Sequence, residues 1–444
     1  PFEGRDQGVR DPYLIRGCRK DGSDSNKVWL LATDLNTHSS QYNGNKENNT
    51  ILENAGDRST WSLTSKVGAG STHLFVWETE DWVHWTRRWV DVAGPEKINA
   101  AMAWAPEAIY NPEKDNYLMY WSGRVEADGS ARNRLYCCET KDFVNFGPTK
   151  LYEQEAFYQK YIRDDMKGAS DNDGYGNIDT SQLWVADKDA DGNITNPYGK
   201  LYRVVKDETR SDSKKGVLLG IQLMSADTVL DPKVKYDETE PVRITPYEYP
   251  EDGETYANVE DLTKLKPAFN TNALGKAEII YNWFKNESVG NHFTKIDQKV
   301  LDKTTAEGGI VGKWEEGATM FKFIDRDEWC IMIDNYGDMN IRYEPFVTTD
   351  LSKPDSVEKM PEGTYGRTGG DVGTHGGMIP ITVKEYNTLV ETYNDQSKMT
   401  GLNAAAKSNY HEIKPITIDV RPMDALAEKL DAAVAGNEYS DGVK

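Results

Sequence analysis

The feature that most constrains the fold is a repeated unit. Residues 73–85 (HLFVWETEDWVHW) match residues 134–146 (RLYCCETKDFVNF). Each copy has a strand-like run ending in Glu-Thr, a turn centred on Asp81 or Asp142, and an aromatic-Val-x-aromatic segment that we predict as a second strand. Residues 341–350 (IRYEPFVTTD) resemble a third copy with a different turn. Antiparallel strands that recur as a unit are typical of the blades of a β-propeller.

Short strand signals dominate the rest of the chain, and long helical periodicity is nearly absent. The runs are apolar, aromatic or β-branched and are bounded by Gly, Asn, Asp or Pro, which indicates an all-β fold. They are residues 27–33, 73–78, 117–122, 134–139, 217–224 and 329–334.

Composition narrows the range of partners. The chain has 444 residues, 38% of them hydrophobic, which is enough for a substantial core. Its net charge of -21 argues against binding to a nucleic-acid backbone, which needs a basic surface. No apolar stretch reaches the roughly 18 residues that suggest a membrane span. Because the four cysteines have neither a zinc spacing nor the density of a disulfide framework, we expect free thiols.

The spacing of the strand signals suggests a division of the chain. We assign residues 1–413 to the propeller, with two long polar insertions at about 35–71 and 231–309. Residues 422–435 can form a short helix, so we predict that residues 414–444 are a helical tail or a linker to a removed module. The chain is then expected to be part of a larger multimodular protein.

Three acidic residues stand far apart in the sequence, and each opens a short apolar run. They are Asp11 before YLI, Asp179 before TSQLW, and Glu316 before GATMF. Each alone is readily explained as a turn or strand-capping residue. A fold that brings three strand starts together would make a carboxylate pocket, which is what glycoside hydrolysis needs.

Five short motifs in a fixed order resemble glycoside hydrolase family 43. The resemblance covers roughly residues 8–393, apart from the two insertions. The motifs are Arg10-Asp11-Pro12, Trp104-Ala105-Pro106-Glu107, Ile178-Asp179, Glu316-Gly317 and, at 374–382, THGGMIPIT. Two positions depart from the family pattern: Ala318 stands where Pro is usual after Glu-Gly, and Glu107 stands where Asp is common. Neither departure removes a catalytic group.

The resemblance implies a five-bladed β-propeller with an inverting active site on its axis. Asp11 would be the general base, Glu316 the general acid, and Asp179 the group that orients Glu316 and raises its pKa. Adjacent side chains of a strand point to opposite faces, and we choose Glu316 over Glu315 because Gly317 follows it directly. No organic cofactor is expected.

The same resemblance suggests further site residues. Trp104, Glu107 and Arg10 are candidate contacts to the sugar. His375, in a Gly-rich turn before a predicted apolar strand, is a candidate ligand for an ion in the central channel, often calcium. Calcium prefers oxygen ligands, so water would complete the shell, and a hydrogen-bonding His beneath the active site is the alternative.

The activity expected from the resemblance is that of an extracellular or cell-surface, exo-acting α-L-arabinofuranosidase on plant cell-wall polysaccharides or their oligosaccharides. A β-xylosidase, arabinanase or galactan-directed enzyme would use the same three acids. A retaining fructosidase is disfavoured because the Asn-Asp-Pro-Asn motif expected upstream of Asp11 is lacking, and a sialidase because repeated Ser-x-Asp-x-Gly turns are lacking. A non-catalytic carbohydrate-binding propeller is the alternative of another class.

Overall fold

The computed structural model describes residues 9–35, 71–94, 100, 102–124, 133–153, 177–207, 221–232, 290, 292–297, 315–335, 342–353, 356–361, 364–365 and 375–393. Both predicted insertions lie largely outside these residues, as does the predicted C-terminal tail. Within them, no helix has both the length and the apolar character needed to cross a membrane.

The described residues form four antiparallel sheets of four strands, each with its strands in chain order. Sheet 1 contains β1 (Val9–Cys18), β2 (Asp24–Asp34), β3 (His73–Thr79) and β4 (Thr86–Asp91). Sheet 2 contains β5 (Ala103–Asn111), β6 (Asn116–Arg124), β7 (Asn133–Thr140) and β8 (Lys150–Glu153). Sheet 3 contains β9 (Asn177–Lys188), β10 (Ile194–Asp207), β11 (Ile221–Ala226) and β12 (Thr294–Asp297). Sheet 4 contains β13 (Glu315–Lys322), β14 (Trp329–Asn335), β15 (Arg342–Thr348) and β16 (Glu358–Lys359). Strand β12 lies inside the range predicted for the second insertion.

The first strands of the sheets meet one another, as the inner strands of propeller blades do. Strand β1 contacts β5, β5 contacts β9, and β9 contacts β13. The backbone N–H of Gly377 donates to the carbonyl of Pro12 at 2.8 Å, which joins the segment after sheet 4 to β1. The all-β propeller prediction is therefore confirmed, whereas the count of five blades is not, since the described residues form four sheets.

Aromatic side chains fill the space between the sheets. Trp29, Trp121 and Trp184 are at most 3% exposed. The indole N–H of Trp184 in sheet 3 donates to the carbonyl of Tyr110 in sheet 2 at 2.9 Å. These tryptophans pack the core, because they lie on inward faces of strands that are covered by the neighbouring sheet.

The repeated unit forms the same turn twice, but its second half is not a strand as predicted. The hydroxyls of Thr79 and Thr140 accept the backbone N–H groups of Trp82 and Phe143, each at 2.9 Å. Trp82 and Phe143 have positive φ angles of 64° and 54°. Side-chain acceptors satisfy the backbone donors locally and so end the strand.

One helix, α1 (Val383–Tyr393), is described; it was not predicted, and the predicted helix at 422–435 lies outside the described residues. The apolar run after the Gly-rich turn, predicted as a strand, has no regular secondary structure at residues 378–382. A capping box starts the helix: Thr382 accepts the N–H of Glu385 at 3.1 Å, and Glu385 accepts the N–H of Thr382 at 2.8 Å. Glu385 also accepts hydrogen bonds from Arg16 of β1 and from the indole of Trp82, both at 2.8 Å. The helix is thus fastened to sheet 1.

Candidate active site

The first strand of each sheet begins with the same backbone irregularity. The strand register breaks after Arg10 in β1, after Trp104 in β5, next to Ile178 in β9 and after Glu316 in β13. The residue that follows has a positive φ in every case: 49° at Asp11, 49° at Ala105, 51° at Asp179 and 60° at Gly317. Bulges of this kind re-aim side chains and are common beside active sites. Three of the four positions hold residues other than glycine, so the surrounding structure must support the strain.

Asp11 is held through its carboxylate. Thr33 donates its hydroxyl to Oδ2 of Asp11 at 2.7 Å, and Nδ1 of His375 lies 3.3 Å from Oδ1. The same hydroxyl accepts the backbone N–H of Ala105 at 2.7 Å, which orients it toward Asp11. Although burial raises the pKa of Asp11, the charge and hydrogen bond of His375, the charge of Arg10 and the Thr33 hydroxyl together lower it. These contacts therefore favour the ionised form of the Asp11 carboxyl.

Asp179 interacts with the charge of Asp11, and its pKa is shifted in the opposite direction. It is 7% exposed, and its Oδ2 accepts the backbone N–H of Gly317 at 3.0 Å. Its own N–H donates to the hydroxyl of Ser122 at 3.1 Å. Burial and the charge of Asp11 raise the pKa of Asp179, against the lowering effects of His375 and the Gly317 N–H. The two aspartates therefore have different electrostatic surroundings.

Glu316 directly precedes Gly317 in the sequence. Its side chain is half-buried, whereas that of Glu315 is 3% exposed. The choice of Glu316 as the proton donor stays a prediction. The carbonyl of Glu315 accepts a hydrogen bond from the ammonium of Lys206 in β10. The hydroxyl of Tyr343 in β15 lies 3.1 Å from the carbonyl of Gly317 and 3.0 Å from that of Gly376. The backbone that carries Glu316 is thus contacted from sheets 3 and 4.

His375 lies over Gly317. A Cβ atom on Gly317 would come within 2.7 Å of Cγ of His375, so only glycine permits this approach. Although burial lowers the pKa of His375, the charges of Asp179 and Asp11 and the hydrogen bond with Asp11 raise it to about 10. The two carboxyls therefore favour the protonated imidazole, which contacts Asp11 directly at 3.3 Å.

His375, the predicted ligand of an ion in the central channel, contacts the carboxylate of Asp11 at 3.3 Å. Within the described residues, no group of three or more His, Cys, Asp or Glu side chains is arranged to hold a metal ion. Calcium held through water or other groups stays a prediction.

The predicted sugar contacts lie in different surroundings. Glu107 is 3% exposed, 3.4 Å from the hydroxyl of Tyr120, and burial raises its pKa well above the ordinary value. Trp104 and Arg10 are half-buried on the two strands that flank the Thr33 hydroxyl. Their roles in binding sugar stay predictions.

Sequence reasoning missed four residues that support the acids: Thr33, Ser122, Lys206 and Tyr343. They lie in ordinary strand sequences, and no motif marks them. Away from the site, the hairpin that joins β9 to β10 is closed by Asp189, which accepts the N–H of Asn193 at 2.8 Å.

The model of a protein family described as "Probable glycosyl hydrolase domain", related to glycoside hydrolase family 43, matches residues 3–243 and 251–387. The chain belongs to this family. The predicted relation to family 43 is confirmed at this level.

Individual relatives are more distant. An α-L-arabinofuranosidase of Bifidobacterium longum subsp. longum is 26% identical over 166 residues, which cover 34% of this chain and 13% of that enzyme. A solved thermostable family-43 glycoside hydrolase aligns over 82% of this chain and 74% of its own, with 14% identity and a TM-score of 0.36. A solved family-43 β-1,3-galactosidase aligns over 82% and 79%, with 10% identity and a TM-score of 0.39. Neither structural likeness is close enough to bear on the details of the site.

Proposed function

We propose that this chain is an inverting glycoside hydrolase that removes α-L-arabinofuranosyl side chains from plant cell-wall polysaccharides. The observation that carries the catalytic part is the hydrogen bond from the N–H of Gly317, the residue after Glu316, to the carboxyl of Asp179 at 3.0 Å. It connects two of the three predicted acids across sheets 3 and 4. The contact of His375 with Asp11 at 3.3 Å brings in the third.

In the proposed mechanism Asp11 accepts a proton from a water molecule as the water oxygen bonds to the anomeric carbon. Glu316 donates its proton to the glycosidic oxygen as the bond from that oxygen to the anomeric carbon breaks. The products are a free sugar of inverted configuration and the shortened polysaccharide. The lowered pKa of Asp11 suits the base, since a base must be ionised. Asp179 orients Glu316 through the Gly317 peptide and places a like charge near it.

Arabinofuranose is the proposed sugar because the curated relative with a significant sequence match is an α-L-arabinofuranosidase. β-Xylosides and β-galactosides are the competing substrates for the same acids. A polymeric substrate cannot cross a membrane, so we further propose that the enzyme acts outside the cell or at its surface.

The direct test is hydrolysis of 4-nitrophenyl α-L-arabinofuranoside, β-D-xyloside and β-D-galactoside by the purified chain. We expect turnover of the arabinofuranoside, loss of turnover in Asp11→Asn, reduced turnover in Glu316→Ala, and normal turnover in Asp189→Asn, which alters an exposed acid of the β9–β10 hairpin. Turnover confined to another glycoside would overturn the arabinofuranose assignment. No turnover of any glycoside, with sugar binding intact, would favour a carbohydrate-binding propeller.

Stereochemistry and mode of action need separate measurements. Proton NMR of the first sugar released should show the inverted anomer, and release of the retained anomer would contradict the roles given to Asp11 and Glu316. Digestion of arabinan, arabinoxylan and arabinogalactan should release monosaccharide from the start. Early release of longer oligosaccharides would indicate endo action instead.

A further inference from the structure

One register position recurs in all four sheets, and in sheets 1 to 3 its side chain contacts the next sheet. It is the residue on the second strand that pairs with the residue before the positive-φ position: Thr33, Ser122, Lys206 and Asp334. Thr33 accepts the N–H of Ala105 in sheet 2 at 2.7 Å, and Ser122 accepts the N–H of Asp179 in sheet 3 at 3.1 Å. In each case a hydroxyl of one sheet holds the bulge of the next.

Sheet 3 breaks this pattern with a lysine. Lys206 is 0% exposed and donates to the carbonyl of Glu315 in sheet 4. An ammonium group has only donors and cannot accept a backbone N–H as a hydroxyl does. The N–H of Gly317 is accepted instead by the carboxyl of Asp179 at 3.0 Å.

These two contacts hold the two peptide groups on either side of Glu316. The carbonyl of Glu315 belongs to the peptide before the Glu316 Cα atom, and the N–H of Gly317 belongs to the peptide after it. Fixing both peptide planes fixes φ and ψ of Glu316 and therefore the direction of its Cα–Cβ bond. A buried charged donor is costly to leave without a partner, and the Glu315 carbonyl is a partner of the Lys206 ammonium.

We propose that Lys206 is a positioning residue for the general acid, which it directs into the site through the Glu315 carbonyl. The proposal rests on the proposed function of Glu316. Lys206 touches no reacting atom, so its effect must appear where proton donation by Glu316 matters. The charge of Lys206 also lowers the pKa of Asp179, the residue that holds the other peptide beside Glu316.

The test compares two arabinofuranosides that differ in leaving group. A 2,4-dinitrophenolate leaves without protonation, whereas an alkyl alcohol needs the general acid. For Lys206→Met we expect kcat/KM to fall at least about tenfold on the alkyl glycoside and less than about threefold on the dinitrophenyl glycoside. The matched control is Lys200→Met on the same strand, whose ammonium pairs with exposed Asp227 at 2.7 Å, and it should leave both rates unchanged.

A second comparison separates positioning from general damage. Added to Glu316→Gln, the Lys206→Met change should cause no further loss, since the group it positions is already unable to donate. Equal losses on both leaving groups, or a further loss in the Glu316→Gln background, would overturn the proposal and leave Lys206 a structural residue. If Lys206→Met does not fold, Lys206→Gln is judged by the same two criteria. A wild-type chain without activity on any glycoside would overturn the proposed function, and the positioning role with it.

Discussion

The two proposed reacting carboxyls are held in different ways. Asp11 in sheet 1 is held through its side chain, by Thr33 at 2.7 Å and His375 at 3.3 Å. Glu316 in sheet 4 is held through its backbone neighbours, by Lys206 and Asp179. Direct hydrogen bonds to a carboxylate set its charge, whereas contacts to the flanking peptides set the direction of a side chain. The difference matches the two tasks, because a base must stay ionised and an acid must point at its target.

The largest expected effect separates the two carboxyls by leaving group. Asp11→Asn should lower kcat on all glycosides by about a hundred- to ten-thousandfold, because water must be deprotonated whatever the leaving group is. Glu316→Gln should lose as much on alkyl glycosides but far less on dinitrophenyl glycosides. Steady-state rates on matched substrates measure this. The same leaving-group dependence in both variants would contradict the assignment of base and acid.

The next largest expected effect is a loss of stability in Gly317→Ala, at the residue that follows the proposed acid. The new methyl group would meet the His375 ring at 2.7 Å at a φ of 60°, so we expect a loss of about 2 to 3 kcal/mol in the free energy of unfolding. Gly192→Ala is the control: it has a φ of 86° but no atom within 4 Å of its Cβ position, so it should lose only about 1 kcal/mol. Urea unfolding of both variants compares them, and equal losses would show that His375 yields to the methyl group.

Glu385 joins helix α1 to sheet 1, which carries the proposed base, and the strength of this contact depends on pH. Although burial raises it, the hydrogen bonds from Arg16, Thr382 and Trp82 lower the pKa of Glu385 from its ordinary 4.5 to about 2. Because the folded pKa is below the unfolded one, this stabilisation is complete above about pH 4.5 and is lost as the pH falls toward 2. We expect Glu385→Gln to destabilise the protein by about 1 to 2 kcal/mol at neutral pH. Thermal unfolding should show that the difference between variant and wild type shrinks on acidification; a constant difference would contradict the ionic contribution.

The smallest expected effect concerns the hydroxyl beside the base. Thr33→Val removes the hydroxyl that donates to Asp11 and helps to lower its pKa, and with it the acceptor of the Ala105 N–H. The pKa of Asp11 should rise, so the acidic limb of the kcat/KM profile should move to higher pH, with a rate loss of a few-fold (about 1 kcal/mol) at acidic pH. Thr195→Val, at an exposed hairpin position, should leave the profile unchanged. An unshifted profile in Thr33→Val would mean that His375 and Arg10 keep Asp11 ionised without the Thr33 hydroxyl.

Sequence reasoning went furthest where a local pattern has a local cause. The copies around Asp81 and Asp142 predicted matching turns, and the structure confirms them because Thr and Asp side chains satisfy backbone groups a few residues away. The same local bonds made the predicted second strand wrong. The segment after His375 was also assigned wrongly as a strand. Its apolar residues have no regular secondary structure, and the helix begins where Thr382 and Glu385 form the capping box.

The sequence by itself determined the all-β propeller class, the family, and the three acids at three strand starts, because these depend on residue type and order along the chain. Only the folded chain shows that His375 lies between Asp11 and Gly317, that Thr33 and Ser122 each hold the bulge of the next sheet, and that Lys206 binds the Glu315 carbonyl. These contacts join residues tens to hundreds of positions apart. They depend on strand register and on the packing of neighbouring sheets, which a single sequence does not display.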